Sequence, residues 1–441
     1  MNHILLFDIG KTNKKCFVFD EEYRIIFKKN INIPETADED GYPCEDLNAL
    51  KDWITSSVQE ILNNPHFRIR AINCTTYGAS FVHVDQQLLP VTPLYNYLKP
   101  FPDDLKKRFF DTFGEDTTIA LATASPVLGY LNSGLQLYGL QQRQPLIFNK
   151  IKYSLHLPQY ISLLIMNIIK DSEMANITDT KGLSADITSI GCHTMLWNFQ
   201  QNDYHNWVKT TGIVGKFPAI QPSNTTCLTR NSGLNSTEDN SGIYTGIGLH
   251  DSSAALIPYL ANFDEPFVLL STGTWCISLN PFNEEPLTAE ELSKNCLCYL
   301  TYTGKPVKAA RYFGGNEHDE AVKKMAAAFG VQEDFYRSPQ FSEHAVLFET
   351  YRAFMETMMT KQVISTRLAI GHSTVRRIFV DGGFSKNDLY MKLLAAAFPN
   401  MEVYAAEIAQ ATALGAALAI HAVWNTMSFP QNLIALRKIV L

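Results

Sequence analysis

Ile4-Leu-Leu-Phe-Asp-Ile9, then Gly10-Lys-Thr-Asn-Lys-Lys15, then Cys16-Phe-Val-Phe19, with Asp20-Glu21-Glu22 leading into Tyr23-Arg-Ile-Ile-Phe27, opens the chain. Apolar runs of strand length broken by polar turns predict an N-terminal antiparallel meander. The first turn is the informative one. A Gly/Thr turn after a strand presents backbone N–H groups and hydroxyls, and glycine lets a phosphate come close to the backbone. Asp8 at the strand end can hold a magnesium ion through water, and Lys11, Thr12 and Asn13 can meet phosphate oxygens. Gly-Lys-Thr also ends a P-loop, but the glycine that a P-loop needs further upstream is absent. An ordinary hairpin turn is the commoner source of such a string.

The same unit recurs. Phe267-Val-Leu-Leu270, the small turn Ser271-Thr-Gly-Thr274, and Trp275-Cys-Ile-Ser-Leu279 repeat strand, turn and strand. A third loop, Asp381-Gly-Gly-Phe-Ser-Lys-Asn387, lies after the apolar run Arg377–Val380 and before a helix predicted over Leu389–Ala397. Two phosphate-type turns, Gly10 to Lys14 and Thr272 to Thr274, plus a glycine pair at Gly382 and Gly383 on which an adenosine can lie, are the parts of an ATP site. Other predicted elements are helices over 47–63, 155–169, 343–370 and 409–423, and strands over 70–74 and 81–84.

The chain has 441 residues, more than one core usually organises, so two domains are expected. The stretch Gln221 to Gly242, poor in apolar residues, sets the expected boundary, giving domains 1–242 and 243–441 with the last helix packing back on the first. Composition is globular, at 46% hydrophobic and 18% charged residues. A net charge of -7 and a pI near 5.9 give no electrostatic footprint for nucleic acid or an anionic membrane surface. Met1 to Ile9 carries Asp8 and no cationic start or cleavage site, so it reads as a strand and a cytoplasmic location is expected. No apolar run reaches spanning length.

Eight cysteines stand without a Cys-x-x-Cys pair, which reads as reduced thiols. Cys296 and Cys298 are a weak zinc signal, with one intervening residue and no nearby histidine. The Asn-x-Ser/Thr triplets at Asn176, Asn224 and Asn235 carry no weight in a protein that is not secreted.

The combination resembles the FGGY carbohydrate kinases, relatives of actin and the heat-shock ATPases, over nearly the whole chain. The resemblance implies an α/β fold of two ribonuclease H-like (actin-like ATPase) domains with an interdomain cleft, ATP and Mg²⁺ as cofactors, and a small sugar as acceptor. A glycine-rich stretch ending in Asp precedes the family's second hairpin, and Gly246-Ile-Gly-Leu-His-Asp-Ser252 stands there. By this likeness Asp251 is the catalytic base, and Asp8 and Asp251 are the metal-binding pair. A carboxylate suits that role, because the sugar hydroxyl must lose a proton as it attacks. Asp251 also fits a helix N-cap before Ser252-Ser-Ala-Ala-Leu256, and both roles are compatible. His250 reads as its packing or hydrogen-bonding neighbour.

For the sugar, Tyr77-Gly78-Ala79-Ser80 is the local match to the Trp-Gly-x-Asp of rhamnulose and fuculose kinases, with Ser80 in place of the Asp. Asn132-Ser-Gly-Leu-Gln136 resembles the rhamnulokinase segment rich in Asn and Gln. Asn387 joins the nucleotide set through the third loop. The activity implied is phosphorylation of a ketose such as L-rhamnulose or L-fuculose, a pentulose (xylulose or ribulose) kinase being the alternative. A non-kinase actin-like ATPase or a sugar sensor would keep the nucleotide loops without the sugar pocket. A homodimer is compatible with the sequence.

Overall fold

The computed structural model describes residues 1–170, 182–230, 242–338, 341, 343–407, 410–430 and 433–441. The triplets at Asn176 and Asn235 and the expected helix start at Ala409 lie outside these residues. The chain divides into two compact units. The first holds Met1–Pro258, Cys298–Lys305 and Gln410–Gln431, and the second holds Tyr259–Leu297, Pro306–Ala409 and Asn432–Leu441. The boundary expected at Gly242 therefore moves. Ile243–Gly246 pairs with Ile69–Thr76 as a strand of the first unit's sheet, so that unit runs on past Gly242 to Pro258.

In the first unit the opening meander forms as expected. His3–Ile9 pairs antiparallel with Lys14–Asp20, which pairs antiparallel with Ile25–Ile31. On its other edge His3–Ile9 runs parallel to Ile69–Thr76, followed by Ile243–Gly246 and Thr226–Thr229. The opening strand is apolar at nearly every position because both of its faces are covered. Leu5, Phe7 and Ile9 pack in one core with Trp53, Ile54 and Val58 of helix Leu47–Leu62 and Ile161, Leu164 and Ile165 of helix Leu157–Lys170. On the opposite face helix Ala411–Ala419 contacts His3–Ile9 and Ile69–Thr76, and its small side chains let Asn73 Nδ2 reach the Ala416 carbonyl at 2.8 Å. The expected helix over 409–423 is this one and a short second turn, His421–Trp424.

A second core of the first unit gathers Phe81, Tyr138, Trp207 and Leu300, with Phe109 at its centre. The Phe109 ring lies 5.0 to 5.2 Å from those of Phe110, Phe113, Tyr138 and Trp207. Edge-to-face contacts of this kind add to the area that they bury.

The second unit repeats the pattern. Phe267–Thr272 pairs antiparallel with Cys276–Asn280, which pairs antiparallel with Pro306–Tyr312. The other edge of Phe267–Thr272 runs parallel to Arg377–Gly382, and that strand parallel to Glu402–Glu407. Each unit thus has an antiparallel three-strand meander continued by parallel strands on its first strand's free edge. Helices Ala345–Ile370 and Asp388–Ala397 cover the sheet through Tyr351, Met355, Met358, Tyr390 and Leu394. This doubled arrangement is the ribonuclease H-like fold expected. No helix among the described residues is long and apolar enough to cross a membrane.

Candidate active site

In the first unit the Gly/Thr turn is a tight hairpin closed by Gly10 N–H donating to the Asn13 carbonyl at 3.0 Å, with Thr12 and Asn13 exposed at its tip. Asp8 ends the strand before it. Thr412 at the start of helix Ala411–Ala419 donates its hydroxyl to Asp8 Oδ2 at 3.0 Å. Burial pushes the Asp8 carboxyl up to about 6 against the pull of Lys15 and the Thr412 bond, and the charge of Asp251 adds to the rise. Lys15 donates to Gln410 Oε1 at 3.2 Å.

The extra lysines of the turn do not all point to a phosphate. Lys14 is 1% exposed and forms a buried ion pair with Glu45, whose side chain is 2% exposed. Lys11 bonds Glu35 at 2.6 Å and approaches Glu45 at 3.4 Å. Glu45 also accepts the Tyr77 hydroxyl at 3.0 Å. Residue 45 stands just before Asp46, which caps helix Leu47–Leu62 by accepting from Asn48 and Ala49 N–H. The expectation that Lys14 meets phosphate is therefore corrected, since its ammonium is consumed inside the protein. Glu45 joins the hairpin to the Tyr77 loop, a link that no local pattern announces.

Asp251 opens helix Asp251–Asn262, and its Oδ1 accepts from Ser252 N–H at 2.6 Å and Ser252 hydroxyl at 3.2 Å. Its side chain is 33% exposed, the accessible member of a buried neighbourhood. Burial pushes its carboxyl up to about 6 against the two Ser252 bonds. His250 Nε2 stands 3.3 Å from Asp251 Oδ1, and burial holds that imidazole down at about 4, so it is neutral at physiological pH. Tyr97, missed in the sequence, is pushed up to about 12 by burial and then by the charges of Asp251 and Glu45. Its ring lies 5.9 Å from that of Tyr77.

The other sugar-loop residues divide. Gly78, Ala79 and Ser80 follow the Ile69–Thr76 strand, with Ala79 in the left-handed region at φ 62°. Gln136 Nε2 donates to the Ala79 and Tyr130 carbonyls, both at 2.6 Å, while its buried Oε1 has no hydrogen-bond partner. Asn132 is fully buried. Its Nδ2 reaches Ser125, the Pro126 carbonyl and the His193 carbonyl, and its Oδ1 takes Leu128 N–H. These bonds make Asn132 a loop clamp rather than a pocket residue, which corrects the expected sugar contact.

In the second unit Gly273 N–H donates to the Trp275 carbonyl at 2.9 Å, leaving Gly273 and Thr274 exposed at the tip. Thr272 is buried. Its hydroxyl donates to the Asp381 carbonyl and accepts from Phe384 N–H at 3.0 Å, which ties this turn to the Asp381-Gly382-Gly383 loop. Gly382 has φ 88°, and a Cβ there would stand 1.9 Å from the Thr272 carbonyl oxygen, so only glycine fits. Gly315, at the start of helix Gly314–Phe329, approaches the Gly273 carbonyl as closely, a contact absent from the sequence reading. Asn387 caps helix Asp388–Ala397 through Tyr390 N–H and donates to the Tyr351 hydroxyl at 2.7 Å, so both ends of its amide serve the fold. Cys296 and Cys298 belong to no metal-type cluster among the described residues.

Residues 3–258 match the model of the FGGY family of carbohydrate kinases, N-terminal domain. Residues 333–423 match the C-terminal domain of that family, and residues 264–346 match carbohydrate kinase FGGY, C-terminal domain. The chain belongs to the FGGY family of carbohydrate kinases, phosphotransferases that use ATP as donor. It is 25% identical to a rhamnulokinase of Halalkalibacterium halodurans over 186 residues, a match spanning 42% of this chain and 39% of that protein. Among solved structures, a carbohydrate kinase from Novosphingobium aromaticivorans is similar at TM-score 0.75 and 21% identity, covering 100% of this chain and 94% of the other. A ligand-bound xylulose kinase from Lactobacillus acidophilus is similar at TM-score 0.75 and 15% identity, covering 96% and 89%.

Proposed function

We propose that this chain transfers the terminal phosphoryl group of ATP to a hydroxyl of a small ketose in the cytoplasm, with Asp251 as general base. The observation that carries this reading is the Asp251 carboxyl itself. It is rooted by Ser252 and one third exposed, and burial raises it towards the range in which a base exchanges protons at neutral pH. Asp251 takes the proton of the attacking hydroxyl, neutral His250 steadies its Oδ1, and the half-buried Tyr97, held beside the buried Tyr77 ring, offers ring surface to the carbon skeleton. On the donor side, the tips Thr12-Asn13 and Gly273-Thr274 present backbone donors to phosphate oxygens, and Gly382 and Gly383 give the adenosine a flat backbone surface.

The donor set also suits Mg²⁺. Two carboxylates whose protonation is favoured by burial gain from a cation, and Asp8 and Asp251 would hold it while it neutralises phosphate charge.

The acceptor is a 6-deoxy ketohexose such as L-rhamnulose or L-fuculose, phosphorylated on its primary hydroxyl. The Tyr77-Gly78 pair and the rhamnulokinase similarity support this choice. Burying one methyl group on an aromatic face contributes on the order of 1 kcal/mol, so the preference is modest. The test is kcat/KM across L-rhamnulose, L-fuculose, D-xylulose, L-ribulose and glycerol. A clear preference for a pentulose or glycerol overturns the substrate and leaves the kinase. ATP turnover that no acceptor stimulates overturns the kinase reading itself.

A further inference from the structure

One cluster beside Asp251 holds more than phosphoryl transfer uses, for only its His250 has a part in that step. Cys192, His193 and His250 are all buried, and one ligand-type atom of each lies within 4.8 Å of the others. Two of them follow the short helix Ile187–Ile190 and the third ends the strand Leu249–His250, so the fold brings a thiol and two imidazoles together from separate segments.

The bonds around the three side chains set which atoms are available. His193 Nδ1 is bonded to the Leu131 carbonyl at 2.8 Å, which places the proton on Nδ1 and makes Nε2 the lone-pair nitrogen. His250 Nδ1 is buried without a hydrogen-bond partner, while its Nε2 stands near Asp251 Oδ1. The Cys192 thiol donates to the Ser189 carbonyl at 3.3 Å, and burial pushes it up to about 12 against the pull of the Ala79 backbone N–H, so it stays a thiol until a cation displaces the proton. Gly78 closes over the group. A Cβ there would lie 2.9 Å from His250 Nε2 and 3.3 Å from Cys192 Sγ.

We propose that Cys192 Sγ, His193 Nε2 and the His250 imidazole form a zinc-ion site adjoining Asp251, and that its occupation inhibits the kinase. One thiolate and two imidazoles are a borderline-soft set that selects Zn²⁺ over Mg²⁺, and zinc takes four ligands in a tetrahedron at about 2.0 to 2.3 Å. Drawing the ligand atoms in from 4.8 Å needs side-chain shifts of roughly 1 Å to reach such distances. Asp251 Oδ1, 3.3 Å from His250 Nε2, is the nearby oxygen that can complete the set. As the Zn–S bond forms, the Cys192 thiol releases its proton to solvent. Inhibition follows because the ion engages His250 and Asp251 together and pulls on the Gly78-Ala79 loop.

The test uses the full chain, reduced and freed of metal, titrated with CoCl₂ and followed by absorption, with ZnCl₂ as competitor. One cobalt per chain is expected, with tetrahedral ligand-field bands and a thiolate-to-cobalt charge-transfer band that zinc removes. Cys192→Ser should lack the charge-transfer band, His193→Gln should bind at least about tenfold more weakly, and Cys227→Ser should behave as wild type. ZnCl₂ should inhibit ATP turnover reversibly to chelator, and should leave Cys192→Ser at its own zinc-free rate. A wild-type chain without the charge-transfer band, or a band that persists in Cys192→Ser, overturns the site, and equal inhibition of both proteins overturns the inhibitory role. Only that role rests on Asp251 as base. The spectra report binding without turnover, and Asp251→Asn kinetics report the base, so the two readings fail separately.

Discussion

Replacing Glu45 tests the link that joins the first hairpin to the Tyr77 loop. Glu45→Gln leaves the Lys14 ammonium, 1% exposed, with the Lys11 carbonyl at 2.9 Å and no neutralising carboxylate in its buried pair. Removing one partner of a buried ion pair costs about 3–5 kcal/mol. Lys14→Met leaves the opposite half better supported, because Glu45 retains the Tyr77 hydroxyl at 3.0 Å and Lys11 at 3.4 Å. A hydrogen bond to a charged group contributes about 1.5–3 kcal/mol, so this loss is expected near 2 kcal/mol. The double variant removes both charges and should cost less than Glu45→Gln alone, about 1–2 kcal/mol, since a buried pair is often replaceable by apolar packing. The measurement is urea unfolding read by hydrogen exchange in peptides from residues 3–20, because a chain of two units need not unfold in one step. The reasoning is refuted if Glu45→Gln costs under about 1 kcal/mol, if Lys14→Met costs more, or if the two losses add in the double variant.

Asp251→Asn should lower kcat by about 10² to 10⁴, the usual worth of a general base; near wild-type turnover at saturating sugar would remove the assignment. The raised Asp251 carboxyl predicts that kcat/KM of the free enzyme rises with pH through an acid limb near 6, and a rate flat between pH 5 and 7 would contradict it. Its folded-state value lies above the unfolded 3.8, so its contribution to stability is greatest below 3.8 and falls as pH rises to about 6. Asp251→Asn should therefore melt higher than wild type at pH 7, not lower. Gly273→Val should weaken ATP binding without loss of thermal stability, because a Cβ there meets only the Trp275 carbonyl at 3.9 Å, whereas Gly382→Ala should lower Tm through its clash with Thr272. Equal Tm losses in the two, or normal ATP affinity in Gly273→Val, would remove the loop assignment.

The hairpins were legible because their information is local. Apolar strands around Gly10-Lys-Thr and around Thr272-Gly-Thr state both the strands and the turn, and the repeat of the unit states the doubled fold. The glycine-rich approach to Asp251 singles it out as the candidate base that the family likeness implies. What escaped is what depends on distant segments. Nothing near Lys14 says that Glu45 will neutralise it, and nothing near Asp8 says that Thr412 will donate to it. The polarity of Asn132 and Asn387 looked like ligand chemistry, yet the same amides are what a buried loop and a helix start need for their own backbone groups. Tyr97 and Cys192-His193 carry no motif of their own; Tyr97 acquires meaning through its ring contact with Tyr77 and the charge of Asp251, and Cys192-His193 through the approach of His250. The first unit runs past Gly242 because Ile243–Gly246 pairs with Ile69–Thr76 far back in the chain, a partner that local composition does not announce.

The return of Gln410–Gln431 to the first unit has a consequence for synthesis on the ribosome. The opening strand is translated about 400 residues ahead of helix Ala411–Ala419, which covers one face of its sheet, and of Thr412, which holds Asp8. At about 5–20 residues per second, the nascent first unit waits roughly ten to thirty seconds after Pro258 for these pieces. Through that interval one face of the Ile4–Phe19 hairpin lacks its cover, so the growing chain is the form most exposed to chaperones and to aggregation, and a chain cut short before Gln410 keeps that face bare.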